Sequence, residues 1–404
     1  MRLLRTLLAA AVLALAAGTV AQADTIKIGA INPYSGALAL YGEECARGYQ
    51  LAIDEANAKG GVLGKQIELV KGDASNPQQA IAAVQRLATS EGVDIFTGTY
   101  ISAVSNAASD AAAQYQKLYW DTNALAQELT QRGLPNFVRS GPYALNFAEV
   151  SANAVTGLIA TALGKQPGQI TVWIDHEDSI YGTSIAQKQK ELLEKAGVKV
   201  AAVDAHSVKA IDLTDSVLRA KQANPDVWIN TGYVPDNNLL LRTMRDQGFN
   251  PAAIILVGTG DTFETKDALG PDMLNGILVV GYPEPDQSEA YGPGAHAYLA
   301  AYKKKYEKDP IAPQSMTAYT GLKILLEAVA AAGSTDMAKV RAAAGKMDKP
   351  LSSYATGYGV KFDETFQNTR ASPTVKQWQG GKVVTVFPTA AAAEGTKLVN
   401  LPRK

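Results

Sequence analysis

Two consecutive rounds of strand and helix predict an α/β chain of two lobes, each built on a doubly wound parallel sheet. Three observations carry that expectation. Strands and helices alternate over residues 25–121, and the alternation recurs with different residues over 170–258. The chain has 404 residues, more than one hydrophobic core ordinarily supports. Turn-rich segments, Arg139-Ser-Gly-Pro142, Gly281-Tyr-Pro-Glu-Pro285 and Ser352 to Gly359, lie between and after the blocks, as three crossover segments would. The boundaries that follow are 24–141 with 282–355 for lobe 1 and 142–281 with 356–404 for lobe 2.

Residues 1–23 stand before the fold. Arg2 and Arg5, an apolar run from Leu7 to Ala17 and the small-x-small sequence Ala21-Gln22-Ala23 predict an export signal cut after Ala23. That run is shorter than the roughly 20 residues of a membrane span. Without the two arginines the charge is about −3, which gives no reason to expect nucleic acid or an anionic membrane as partner. Cys45 is the only cysteine, so no intramolecular disulfide or thiolate metal site is expected. Its expected place is a buried apolar position on the first helix.

The elements follow from periodicity and stop signals. Thr25 to Ile31 alternates as a strand, and Glu43 to Lys59 carries Leu51, Ile53 and Ala56 on one helical side before Gly60-Gly61 ends it. Strand Lys65 to Lys71 precedes a helix opened by Asn76-Pro77 and running to Ser90. Strand Val93 to Gly98, helix Ser102 to Gln116 and strand Lys117 to Asp121 close the first block. The second block predicts strands 170–175, 198–204, 226–231 and 254–258 with helices 183–196, 213–223 and 237–247 between them. Helices 294–307 and 313–332 then return to lobe 1.

Signs of catalysis are missing. His176, His206 and His296 are scattered without metal spacing and are expected at the surface. Gly182-Thr-Ser184-Ile-Ala186 lacks the second glycine of a nucleophile elbow. Gly60 to Gln66 and Gly258 to Phe263 miss the spacing of phosphate and dinucleotide loops. No catalytic residue, cofactor or metal is therefore expected. Strand ends do offer polar groups. Ser102 or Ser105 stands at a helix start, where free amides and the positive dipole end form either a carboxylate cradle or a plain cap. Asp121-Thr122-Asn123-Ala124 ends the next strand, and Tyr181 and Tyr233 come to the same cleft from the second block.

Asp24-Thr-Ile-Lys-Ile-Gly-Ala-Ile, Ser35-Gly36, Tyr41-Gly42, Ile53-Asp-Glu-Ala-Asn57-Ala-Lys-Gly-Gly61, Asn76-Pro-Gln-Gln-Ala80 and Glu128-Leu-Thr130-Gln-Arg-Gly133 resemble the periplasmic leucine/isoleucine/valine-binding proteins of ABC importers. The resemblance spans essentially the whole chain after residue 23. It implies a type I periplasmic binding protein fold whose lobes close over a solute, a branched-chain amino acid or a related small carboxylate or amide, and hand it to a membrane permease. A periplasmic monomer without enzymatic activity is expected. A ligand sensor presenting its closed form to a membrane receptor is the other reading. By resemblance Ser102 holds the ligand carboxylate, with Tyr41, Tyr181 and Tyr233 around it. Asn123, Ala124 and Leu125 stand where the carboxylate loop lies, with Leu125 in place of a threonine. Gly260 replaces a glutamate, which leaves Asp261 as the acid beside the expected ammonium position.

Overall fold

Five apolar strands form the first sheet in the computed structural model, which describes residues 25–403. The expected export signal lies outside the described residues. The strands are β1 (Ile26–Asn32), β2 (Ile67–Asp73), β3 (Ile95–Gly98), β4 (Tyr119–Asp121) and β5 (Phe137–Arg139), in the order β2-β1-β3-β4-β5 and all parallel. Ile28, Ile95, Trp120 and Val138 are fully buried, as central parallel strands covered on both faces must be. On one face lie α1 (Ala39–Ala58) and, from far along the chain, helices 295–306 and 314–332. The other face holds α2 (Pro77–Thr89) and α3 (Ser102–Gln114). Helix α2 starts where expected, because the Asn76 side chain accepts from Gln79 N at 3.0 Å and Pro77 follows it.

The second sheet repeats this order. Strands β6 (Thr171–Glu177), β7 (Lys199–His206), β8 (Val227–Thr231), β9 (Ala253–Val257) and β10 (Leu278–Gly281) lie as β7-β6-β8-β9-β10, again parallel. Helices α4 (Ala144–Asn153) and α5 (Ile180–Lys195) cover one face, and α6 (Thr214–Ala223) and α7 (Val234–Asp246) the other. In both sheets the order reverses beside the first strand, where a parallel sheet opens a crevice at its carboxyl ends.

Further helices include α8 (Phe263–Leu269), α9 (Ala295–Tyr306), α10 (Gln314–Ala332) and α11 (Met337–Ala344). Strands β11 (Asp348–Lys349) and β12 (Val360–Lys361) form a two-residue ribbon. The second sheet is not parallel throughout: β13 (Thr374–Gln379) and β14 (Lys382–Phe387) join β10 as an antiparallel hairpin, turning at Gly380-Gly381. Strands β5 and β10 are too short to show a period, and each ends at the first residue of a segment expected as a crossing. Tyr354, Val360 and Phe362 pack in the first core, and Asn368 N donates to Arg139 O at 2.9 Å. The first core thus draws on side chains on both sides of residue 355, which find their apolar cover there.

Candidate functional site

Loops after the parallel strands of both sheets meet in one cleft. Tyr100 follows β3, Asn123 and Leu125 follow β4, Tyr233 follows β8, Gly258 follows β9 and Tyr282 follows β10; Tyr181 comes from the first turn of α5. Together these seven residues enclose a cavity of about 10 Å³, the space of one water molecule. The walls are held from below. Tyr181 donates its hydroxyl to Val257 O at 2.9 Å, and Tyr282 donates to Asn123 O. Gly258, at φ 79°, leaves no room for a side chain, since a Cβ would stand 2.1 Å from the Tyr181 hydroxyl. Tyr41 stacks on Tyr100 with centroids 4.3 Å apart, and Tyr100 meets the edge of Tyr233 at 5.8 Å, joining the two halves.

The lining is neutral. Burial pushes the phenols of Tyr41, Tyr100, Tyr181, Tyr233 and Tyr282 well above their ordinary range, so they stay protonated donors. The hydroxyls of Tyr41 and Thr99 are buried and meet no partner. The charges sit one layer deeper. Burial drives the Asp121 carboxyl up to about 7 against the pull of Arg139, and it accepts from the Ser105 hydroxyl and from Ala124 N at 2.9 Å. Arg139, lowered by burial to about 10, donates to Ala124 O at 3.0 Å and to Ala126 O at 2.8 Å. These two residues pin the loop that presents Asn123 and Leu125.

Of the residues singled out from sequence, Asn123, Leu125, Tyr181 and Tyr233 line the cavity, and Tyr41 adjoins it. Ala124 serves through its backbone. Ser102 is neither a cap nor an open cradle. The N-cap of α3 is Ile101, and the Ser102 Oγ accepts Leu125 N at 3.2 Å and Ala126 N at 3.1 Å, clasping that loop to the helix. Only its own proton is left to offer. Asp261 does not line that cavity, and its Oδ2 accepts from the Nζ of Lys376, which also donates to Glu284 at 3.1 Å and to Tyr282 O at 2.8 Å. Nothing near Asp261 in sequence announces Lys376, because β13 arrives from beyond the third crossing. Tyr100 and Tyr282 escaped selection although both follow strand ends, Tyr282 because β10 was not legible.

The histidines also depart from expectation. His206 is buried and bonds Asp175 through Nδ1 and Asp236 through Nε2 at 3.0 Å, and His176 is buried at the end of β6. Only His296 is exposed, beside Glu289. Among the described residues no group of three or more His, Cys, Asp or Glu is placed to hold a metal ion, and no helix is long and apolar enough to cross a membrane. Cys45 is free and buried on α1 as expected.

A family model described as periplasmic binding protein matches residues 25–382. A Leu/Ile/Val-binding protein homolog 7 of Brucella suis is 38% identical over 393 residues, 97% of this chain and 98% of the relative. A leucine binding protein, LivK, of Thermotoga maritima superposes with TM-score 0.78 at 24% identity, covering 89% of this chain and 97% of that one. A solute binding protein of an R. palustris ABC transporter, solved with 4-hydroxybenzoate, reaches TM-score 0.77 at 24% identity over 90% and 96% of the two chains.

Proposed function

This chain belongs to the periplasmic binding protein family, and on that premise we propose that it is the exported solute-binding subunit of an ABC importer, delivering a small carboxylate to a membrane permease. Export through residues 1–23 places it in the periplasm. The observation that supports the reading best is the cavity at the carboxyl ends of both sheets, walled by aromatic rings with unpartnered hydroxyls beside it. Phenol donors and flat faces suit a carboxylate attached to a ring or branched chain. No carboxylate lines that cavity, and Asp261 is committed to Lys376. An ammonium there would be desolvated without a partner, which is costly. The geometry thus favours an aromatic or aliphatic acid such as the 4-hydroxybenzoate of the R. palustris neighbour. A branched-chain amino acid, as the names of the Brucella and Thermotoga relatives indicate, is the second reading.

A cavity with room for one water cannot take either solute as it stands. Loading separates the hinged lobes, residues 24–141 with 282–368 and 142–281 with 369 onward, and closure re-forms the tyrosine walls around the solute. The test is mass spectrometry of small molecules released on denaturing the purified protein, followed by melting scans with hydroxybenzoates, aliphatic acids and leucine, isoleucine and valine. A true solute raises the melting temperature with the logarithm of its concentration. Failure of every acid and amino acid in the scan overturns the reading. Leucine binding tightly while all acids fail overturns the preference for an acid without ammonium.

A further inference from the structure

A cavity of about 500 Å³ lies apart from the cleft, walled by elements of the second sheet and by the tail that follows it. Ile254 stands near the start of β9 and Ile277 just before β10. The cavity is therefore at the strand ends opposite to those that carry Gly258 and Tyr282 into the cleft. Leu241 and Met244 of α7, Phe249 just past it and Met273 ahead of β10 continue an apolar wall. The volume falls in the roughly 300–1,000 Å³ of small-molecule sites. Two thioethers in the wall let it adapt to a flexible occupant.

Arg403 is the cation of this wall. The tail carries it there: Val399 N donates to Gln377 Oε1 at 2.9 Å, and Arg403 N to Ala252 O at 2.9 Å. Its side chain donates from Nε to Asn250 Oδ1 at 3.2 Å, from Nη1 to Asn275 O at 3.0 Å and from Nη2 to Met273 O at 3.3 Å. Asn250 and Met273 line the cavity themselves, so the guanidinium stands at its edge. All three partners are neutral oxygens, and an arginine has further N–H donors for an anion. Burial lowers Arg403 to about 10, with no carboxylate pulling it back. The other cation of the lining, Arg245, is exposed and paired with Asp246 at 2.9 Å. Asp272, the lining carboxylate, is exposed and forms no ion pair with Arg403 among the described residues. A partly buried cation without an anion is costly, and a ligand that brings one removes that cost.

We propose that this cavity is a second ligand site, for a small monocarboxylate with a flexible aliphatic body: the carboxylate pairs with Arg403, and the chain lies along Met244, Phe249 and Met273. The site is separate from the cleft and stands whether or not the cleft takes an acid.

Octanoate is the probe and octylammonium, of the same length and opposite charge, the control. Spectra of protein labelled with carbon-13 at the methionine methyls read the site itself, because Met244 and Met273 line this cavity and no methionine lines the tyrosine-walled one. Octanoate is expected to shift both signals along one saturating curve and to bind about tenfold or more tighter than octylammonium. Arg403→Gln is expected to weaken octanoate by about tenfold. Arg403→Lys, which keeps the charge and loses the planar fork, is expected to weaken it by about threefold. No shift of Met244 and Met273 up to about 10 mM octanoate, equal affinity for acid and ammonium, or unchanged octanoate affinity in Arg403→Gln overturns the proposal. The comparison of acid with ammonium uses the unsubstituted protein, so it decides even where Arg403→Gln folds poorly. Octanoate that raises the melting temperature without moving either methionine occupies the cleft, which supports the reading of the cleft and overturns this one.

Discussion

Ser102 carries more of the cleft than its exposure of 1% suggests. Its Oγ accepts two backbone amides of the loop that presents Asn123 and Leu125. Ser102→Ala strands both amides in a dry interior, where an unmade hydrogen bond costs about 1–3 kcal/mol. The expected outcome is a loss of that size in denaturant unfolding of the solute-free protein, together with weaker solute binding as the loop loosens. Unchanged stability would show that the loop is held by Asp121 and Arg139 without it. The same residue marks the limit of local reading. A serine at a helix start was legible as a polar group at the cleft, but which groups it meets depends on a loop more than 20 residues later.

His206 joins three elements. It ends β7 and sits between Asp175 of β6 and Asp236 of α7, while Ser216 of α6 donates to Asp175 at 2.9 Å. Burial disfavours the imidazolium, but the hydrogen bonds and charges of the two aspartates outweigh it and raise His206 from 6.5 to about 10. The folded chain thus holds this proton longer than the unfolded one. The contribution is fully present below pH 6.5 and is lost as pH rises toward 10. His206→Gln is expected to lower stability near neutrality by about 3–5 kcal/mol, as removal of one partner from a buried charge group does. It should also flatten the decline of stability across that pH window, which unfolding curves at stepped pH will read.

Helices α1 and α10 meet at Gly48, where a Cβ would lie 1.9 Å from Ser315 O and 3.0 Å from Tyr319 N. The contact needs a bare backbone. Gly48→Ala forces the helices apart, and overpacking of this kind costs about 1–3 kcal/mol. A lowered midpoint in thermal unfolding is expected; an unchanged one would mean that the helices slide without cost.

For the molecule as a whole, Tyr100 joins the two halves across the cleft. It stacks on Tyr41 of the first unit and meets the edge of Tyr233 of the second. Tyr100→Ala removes both contacts and leaves the tyrosine layer incomplete. The expected result is a wider mean separation of the lobes without solute, seen as a larger radius of gyration in solution scattering. An identical scattering profile would assign closure to other contacts across the cleft, such as Gln127 N donating to the Ser184 hydroxyl at 3.3 Å.

Sequence by itself determined the order of strands and helices within the two alternating blocks, the helix start at Asn76-Pro77, the two-lobe plan and the cleft at the strand ends. Each of these rests on short-range physics: periodicity that buries one face, turn formers that stop an element, and the outward position of residues just past a parallel strand. Only the tertiary structure decided which side chains share a site. Lys376 reaches Asp261 across 115 residues, Tyr282 reaches Asn123 across 159, and His206 leaves the surface for two aspartates about 30 residues away on either side. Such pairings form because folding brings remote charges and hydroxyls into one low-dielectric place where each must find a partner, and no local pattern records that choice.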